Sequence, residues 1–192
     1  MGLVLASTSP YRKQLLDRLG IPFTQMAPRC NEEDLKAIPY PGPVGLARHL
    51  AREKAVSLIG ECPHDTIIGG DQVVDIDGRV LDKPGTVAQA IDQLMELSGR
   101  THQLATAIAV CAAGEIRTHV DLTRLTMRSL DRESIARYVE ADQPLDCAGS
   151  YKLESRGIAL FERIETSDYT AIIGMPLIAL SAMLRNAGYM TP

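Results

Sequence analysis

Short, wholly apolar runs alternate along the chain with longer stretches in which apolar residues recur every three or four positions. The first run, Leu3-Val4-Leu5-Ala6, has the continuity of a strand buried on both faces. Ser7-Thr8-Ser9-Pro10 breaks it: Ser9 is a helix cap and Pro10 suits the first helical position. Leu15, Leu16 and Leu19 then form a buried stripe, and Gly20 closes the helix. A surface loop rich in proline and acidic residues is predicted over 28–43. A helix follows over 44–59, with Leu46, Ala47, Leu50, Ala51 and Leu58 on its apolar side and Gly60 as its stop. Residues 66–68 read as a short strand ended by Gly69-Gly70-Asp71, and 72–76 with 79–81 as a hairpin around Asp77-Gly78. Thr86 opens a helix, with Gln89 three residues on as in a capping box and Ala90, Ile91, Leu94 and Leu97 on the buried face. Residues 102–113 and 116–127 read as adjacent antiparallel strands. Asp131 caps a helix to about residue 141, a polar loop covers 142–156, 158–164 is a strand candidate, and a last helix runs from Pro176 to Gly188.

Helices and strands are thus interspersed, with a long antiparallel pair in the middle. The pattern predicts an α/β fold, a mixed twisted sheet with flanking helices, in a single domain over 1–192. A net charge of −4 argues against broad capture of a nucleic-acid polymer, which needs a surplus of Lys and Arg, but leaves room for a small anion in a locally basic pocket. Cys30, Cys62, Cys111 and Cys147 are scattered, without a C-x-x-C pair or a close histidine, so a zinc or redox motif is not indicated and a reducing compartment suits them. No run approaches the roughly 20 apolar residues that span a bilayer, and 2–6 is too short for a signal-peptide core. A cytoplasmic location with no membrane partner is the expectation.

Three places carry candidate chemistry. Ser7-Thr8-Ser9-Pro10-Tyr11-Arg12-Lys13 lies between a strand and a helix, where free backbone N–H groups attract anions. Arg12 and Lys13 oppose the helix dipole there, a conflict that a bound phosphate removes; a capped helix with two solvated bases fits the residues equally well. Lys54 sits four residues after Leu50 and four before Leu58, on the apolar side of its helix, either reaching a substrate or snorkelling to water. Asp71 follows a buried-type strand and is placed to hold Mg²⁺ or orient water, with Glu32 or Glu33 as a second ligand and Lys83 as a further charge against phosphate. Cys147 reads as a packed thiol, and His102 and His119 as strand residues, not a metal pair.

Taken together and in order, Leu5 to Arg12, Leu50-Ala51-Arg52-Glu53-Lys54-Ala55, Gly69-Gly70-Asp71-Gln72-Val73-Val74, Lys83-Pro84, Ser98-Gly99-Arg100, Asp146 to Tyr151 and Ile173-Gly174-Met175-Pro176-Leu177 resemble the Maf family of nucleoside triphosphate pyrophosphatases over nearly the whole chain. The resemblance implies a Maf-like fold related to the inosine triphosphatase-like architecture, with a substrate cleft, often in a homodimer. It implies a cytoplasmic hydrolase of nucleotide metabolism, of a house-cleaning kind, that needs a divalent cation such as Mg, Mn or Co. By position, Asp71 looks like the proton acceptor and, with Glu32, the metal carboxylates; Lys54 and Lys83 look catalytic; Ser7, Ser9, Arg12 and Lys13 look like phosphate-side residues. Tyr11, Gln72 and Glu154 stand where the dTTP- and UTP-hydrolysing branch tends to carry Arg, Thr and Gln. That set resembles the branch acting on 7-methyl-GTP. A methylated guanine is cationic, so Tyr11 can stack on it while Glu154 accepts from its N–H edge. Cleavage of dTTP, UTP or another modified nucleotide, or nucleotide binding without turnover, are the alternatives.

Overall fold

The structure, a computed structural model, describes residues 2–190. The order begins β1 (Leu3–Ala6), α1 (Pro10–Asp17), β2 (Thr24–Met26), α2 (Glu32–Lys36), α3 (Gly42–Val56), β3 (Thr66–Ile76) and β4 (Arg79–Leu81). It continues with α4 (Val87–Leu97), β5 (Thr101–Ala112), β6 (Glu115–Met127), α5 (Arg132–Asp142), β7 (Phe161–Glu165), α6 (Tyr169–Ile173) and α7 (Leu177–Asn186). The sheet order is β2-β1-β3-β5-β6-β7, with β4 on β3. This is the mixed α/β architecture that the alternation of elements implies. The residues gather into two compact units. One comprises 2–72, 106–121 and 168–190; the other comprises 73–105 and 122–167.

In the first unit β1 lies between two parallel neighbours, with Val4 opposite Thr24 and Ile67. Parallel strands covered on both faces need a continuous apolar run, and all four residues of β1 are buried. Ser9 caps α1 by accepting from the Arg12 N–H, and Pro10 begins it. The core joins Leu3 and Leu5 of β1 and Leu15 and Leu16 of α1 to Met175, Leu177, Leu180 and Leu184 near the other end of the chain.

Helix α3 turns small residues, Ala47, Ala51 and Ala55, toward the core, all fully buried. They allow an unusually close approach to β3: a Cβ on Gly69 would lie 2.1 Å from the Ala51 carbonyl oxygen. This explains a departure from the sequence expectation. Gly69-Gly70-Asp71 does not end a strand; β3 runs through it from Thr66 to Ile76. The glycines make room for a helix backbone rather than a turn. Two helices of five residues were also not foreseen: α2, inside the expected loop 28–43, and α6. Both lie below the length at which helical periodicity can be read.

In the second unit β3 and β4 form the expected hairpin, Val74 opposite Leu81, and Asp77 and Gly78 have φ of 52° and 83° as a type I′ turn demands. Thr86 and Asp131 cap α4 and α5 through the Gln89 and Ser134 N–H groups. Strand β7 pairs antiparallel with β6 but starts at Phe161, because 156–160 forms a 3₁₀ turn instead of the start of the strand candidate 158–164. His102, Tyr151 and Phe161 pack their rings together, with His102 Nε2 3.0 Å from the Tyr151 hydroxyl. No helix among the described residues is long and apolar enough to cross a membrane, and no disulfide links the cysteines.

Candidate active site

Alternation along β3 places Gly69 and Asp71 on one face and Gly70 and Gln72 on the other. Because Gly69 admits the α3 backbone at Ala51 and Ala55, Asp71 two residues further along meets Lys54 from the same helix. The Lys54 ammonium lies 2.7 Å from Asp71 Oδ1 and 2.8 Å from Glu32 Oε1. Lys54 and Asp71 are buried, while the Glu32 side chain is 50% exposed. A charge on a buried helix face is costly unless paired, so these two carboxylates account for the lysine that breaks the apolar stripe of α3. Asn31 caps α2 by accepting from the Glu33 N–H, which sets Glu32 as the first residue of that helix. Of Glu32 and Glu33, it is Glu32 that reaches Lys54.

Arg12 supplies the next charge. Its guanidinium donates from Nε to the Gly174 carbonyl at 3.1 Å. Burial lowers its pKa from the usual value, while Asp71 and then Glu32 raise it. Gly70 lies beneath it: a Cβ there would sit 3.2 Å from Nε. Ser7 is buried and its Oγ accepts from the Ser9 N–H at 3.2 Å, shaping the loop that leads into α1. Lys13 differs from Arg12. It is exposed and pairs with Asp17 at 2.9 Å along the helix, so its charge is met within α1.

Gln72 is committed to protein contacts on its donor side. Its amide nitrogen donates to the Ala171 and Ile172 carbonyls and to Thr106 Oγ1, each at 3.0 Å. What it retains for a ligand is its amide oxygen. Tyr11 is half-buried in the first turn of α1. The other two residues singled out from sequence belong to the second unit. Lys83 is exposed in an open groove of about 400 Å³ that also includes Asp82, Gln93 and Glu96, and Glu154 is exposed on the loop before Ser155. Arg100 pairs with Asp77. The first unit therefore brings Arg12, Glu32, Lys54 and Asp71 together at the entrance to α1.

The sequence pattern did not single out Thr106 or Asp168, which hold this region in place, and Gly174-Met175-Pro176 read as a helix start rather than as a partner of Arg12. Thr106 is fully buried inside an otherwise apolar stretch of β5, and Asp168 caps α6 through the Thr170 N–H. A polar residue within such an apolar run, and the Asp-x-Thr spacing, were the available signals.

Among the described residues no group of three or more His, Cys, Asp or Glu is arranged to hold a metal ion. Two converging carboxylates are nonetheless the hard oxygen donors that Mg²⁺ takes when substrate phosphates complete its shell. Glu32 and Asp71 fit that requirement.

Parallel strands β1, β2 and β3 with helices packed against them, and a cluster of buried charges beside a helix start, define an α/β protein. The chain belongs to the Maf family: the family model for Maf-like proteins matches residues 2–187. It is 47% identical over 185 residues to a 7-methyl-GTP pyrophosphatase of Bdellovibrio bacteriovorus, covering 96% of each chain. It is 45% identical over 192 residues to a protein of the same name from Pseudomonas putida, covering 99% of this chain and 98% of the relative. A solved nucleoside-triphosphatase / dITP/XTP pyrophosphatase from Mycobacterium abscessus aligns over 97% of each chain at 17% identity, with a TM-score of 0.45, a likeness that carries no weight.

Proposed function

We propose that this chain hydrolyses 7-methyl-GTP to 7-methyl-GMP and pyrophosphate. The observation that carries the reading is the buried Lys54, held between Asp71 and Glu32 with Arg12 beside them. Full-length relatives bearing the name 7-methyl-GTP pyrophosphatase, and the residues Tyr11, Gln72 and Glu154, support the choice of base.

In this mechanism Asp71 accepts the proton of the attacking water, a general-base role that requires a fixed carboxylate. Lys54 fixes it with the 2.7 Å bond to Oδ1. Arg12 offsets the negative charge that builds on phosphate oxygens, and the Ser7 and Ser9 loop lines the phosphate side. Glu32 and Asp71 would hold a divalent cation, which when bound polarises a phosphate oxygen. Tyr11 stacks on the cationic methylated ring. Lys13, already paired with Asp17, is left with a supporting role in attracting the anion. The reading treats 1–192 as one cytoplasmic catalytic domain acting on a free nucleotide and not on a polymer, with a homodimer as the assembly to be read by light scattering.

The test is pyrophosphate release across 7-methyl-GTP, GTP, dTTP and UTP with magnesium, repeated with Asp71→Asn. The proposal expects 7-methyl-GTP to be cleaved fastest and Asp71→Asn to lose about a hundredfold or more in kcat. Faster cleavage of dTTP or UTP refutes the base assignment. Binding of 7-methyl-GTP with no metal-dependent pyrophosphate release refutes the enzyme.

A further inference from the structure

We propose that Thr106 is a positioning residue for Arg12, acting through the turn that ends α6. The inference rests on the reading of Arg12 as a phosphate-side group.

Helix α6 has five residues and stops at Gly174, whose φ of 129° is outside the range most side chains adopt. The last carbonyls of a helix have no partner further along it. Here the Gly174 N–H donates to the Thr170 and Ala171 carbonyls, and side chains from neighbouring strands add further donors. Thr106 Oγ1 donates to the Ala171 carbonyl at 2.9 Å, and Gln72 Nε2 donates to the Ala171 and Ile172 carbonyls. Gln72 Nε2 also donates to Thr106 Oγ1 at 3.0 Å, so the hydroxyl uses both its donor and its acceptor capacity within this cluster. Two residues further along, the Gly174 carbonyl receives Arg12 Nε.

The far side of the turn is fixed as well. Asp168 accepts from the Thr170 and Ile178 N–H groups, and Thr170 Oγ1 accepts from the Leu177 N–H. The direction in which the Gly174 carbonyl points is therefore set by two anchors, and Thr106 belongs to the one on the β3 and β5 side. That direction selects the orientation of the guanidinium, because Nε carries a single N–H in a planar group. The remaining donors of Arg12 are its two terminal nitrogens, which suit the forked recognition of phosphate oxygens. Thr106 is fully buried, and valine would fill the same space. Packing alone does not call for its hydroxyl; the turn does.

The experiment compares kcat and KM for magnesium-dependent pyrophosphate release, on the nucleotide cleaved fastest, in Thr106→Val, Thr106→Ser and Thr106→Cys. Thr106→Val is also made in an Arg12→Lys background, since lysine has no Nε to bond Gly174. Thr106→Val should lower kcat/KM about tenfold and Thr106→Ser by about twofold or less, the loss of one buried hydrogen bond set against its retention. With Arg12→Lys already present, Thr106→Val should cost about twofold or less. An equal loss in both backgrounds, or no loss in the native one, overturns the proposal. If Thr106→Val does not fold, Thr106→Cys against Thr106→Ser decides: the serine variant should be several-fold more active, and equal activity overturns the proposal. Arg12→Lys at full activity would instead remove the phosphate-side reading itself. Arg12→Lys impaired with Thr106→Val unimpaired would remove only the positioning role.

Discussion

Replacing Lys54 by Met keeps the length and apolar stem of the side chain and deletes the ammonium between two carboxylates. The Lys54 and Asp71 side chains are 7% and 10% exposed, so the variant removes the direct partner of a carboxylate that water barely reaches and leaves it only the nearby charge of Arg12. Removing one partner of a buried ion pair costs about 3–5 kcal/mol. Glu32, with its side chain half exposed, is solvated once released, and its share is that of a surface pair, about 0–1 kcal/mol. The sum points to a loss of about 3–6 kcal/mol, most of it from Asp71. At about 2–4 °C per kcal/mol for a chain of this length, Tm should fall by about 6–24 °C at neutral pH. Thermal unfolding followed by circular dichroism, on Lys54→Met, Asp71→Asn and the double variant, isolates the cause. If the cost is a stranded charge, the double variant recovers more than about 1.5 kcal/mol relative to the sum of the singles. A Lys54→Met protein within about 2 °C of the parent, or strictly additive losses, would show that the pair is solvated and the reasoning wrong.

Other consequences can be checked separately. His102 is buried with its pKa lowered from 6.5 to about 4 by desolvation. Between these values the unfolded chain binds the extra proton and the folded one does not. Stability is therefore full above pH 6.5 and declines by about 3 kcal/mol as pH falls toward 4; denaturant midpoints should show this slope, and His102→Gln should flatten it. Gly69→Ala places a Cβ 2.1 Å from the Ala51 carbonyl oxygen and 2.7 Å from the Ala55 nitrogen, backbone atoms that cannot step aside. It should cost about 3 kcal/mol, whereas Gly20→Ala, with no atom within 4 Å but a φ of 67°, should cost about 1 kcal/mol by equilibrium unfolding. Asp168→Ala removes acceptors from the Thr170 and Ile178 N–H groups at once and should lose about 2 kcal/mol or more, while Asp168→Asn, which retains one oxygen, should lose less in the same assay.

What could be read from the sequence was local. Ser9 and Pro10 announce α1 and Thr86 with Gln89 announces α4, because capping bonds span only three residues. Asp77-Gly78 announces its hairpin because few residue pairs tolerate two positive φ values. Gly69-Gly70 was misread because a glycine that ends a strand and one that admits a neighbouring backbone are the same letter, and only the Ala51 and Ala55 face of α3 distinguishes them. Lys54 was visible as a charge in the wrong place, but its partners come from an acidic loop and a strand that only the folded topology brings together. Helix α6 is too short to show a period, and with it the roles of Thr106 and the Gly174 carbonyl were hidden. The engagement of the Gln72 amide nitrogen by the carbonyls of α6 was hidden in the same way.

Leu3 and Leu5 share their core with Leu180 and Leu184, and Arg12 reaches Gly174. Near neighbours, Leu15 and Leu16 of α1, cover part of β1, but another part of that core comes from Met175, Leu177, Leu180 and Leu184, more distant in sequence. Contacts so distant in sequence slow folding, because a long loop must close before they form. The same arrangement means that Arg12, near one end of this core, acquires its Gly174 partner only once the turn after α6 has formed.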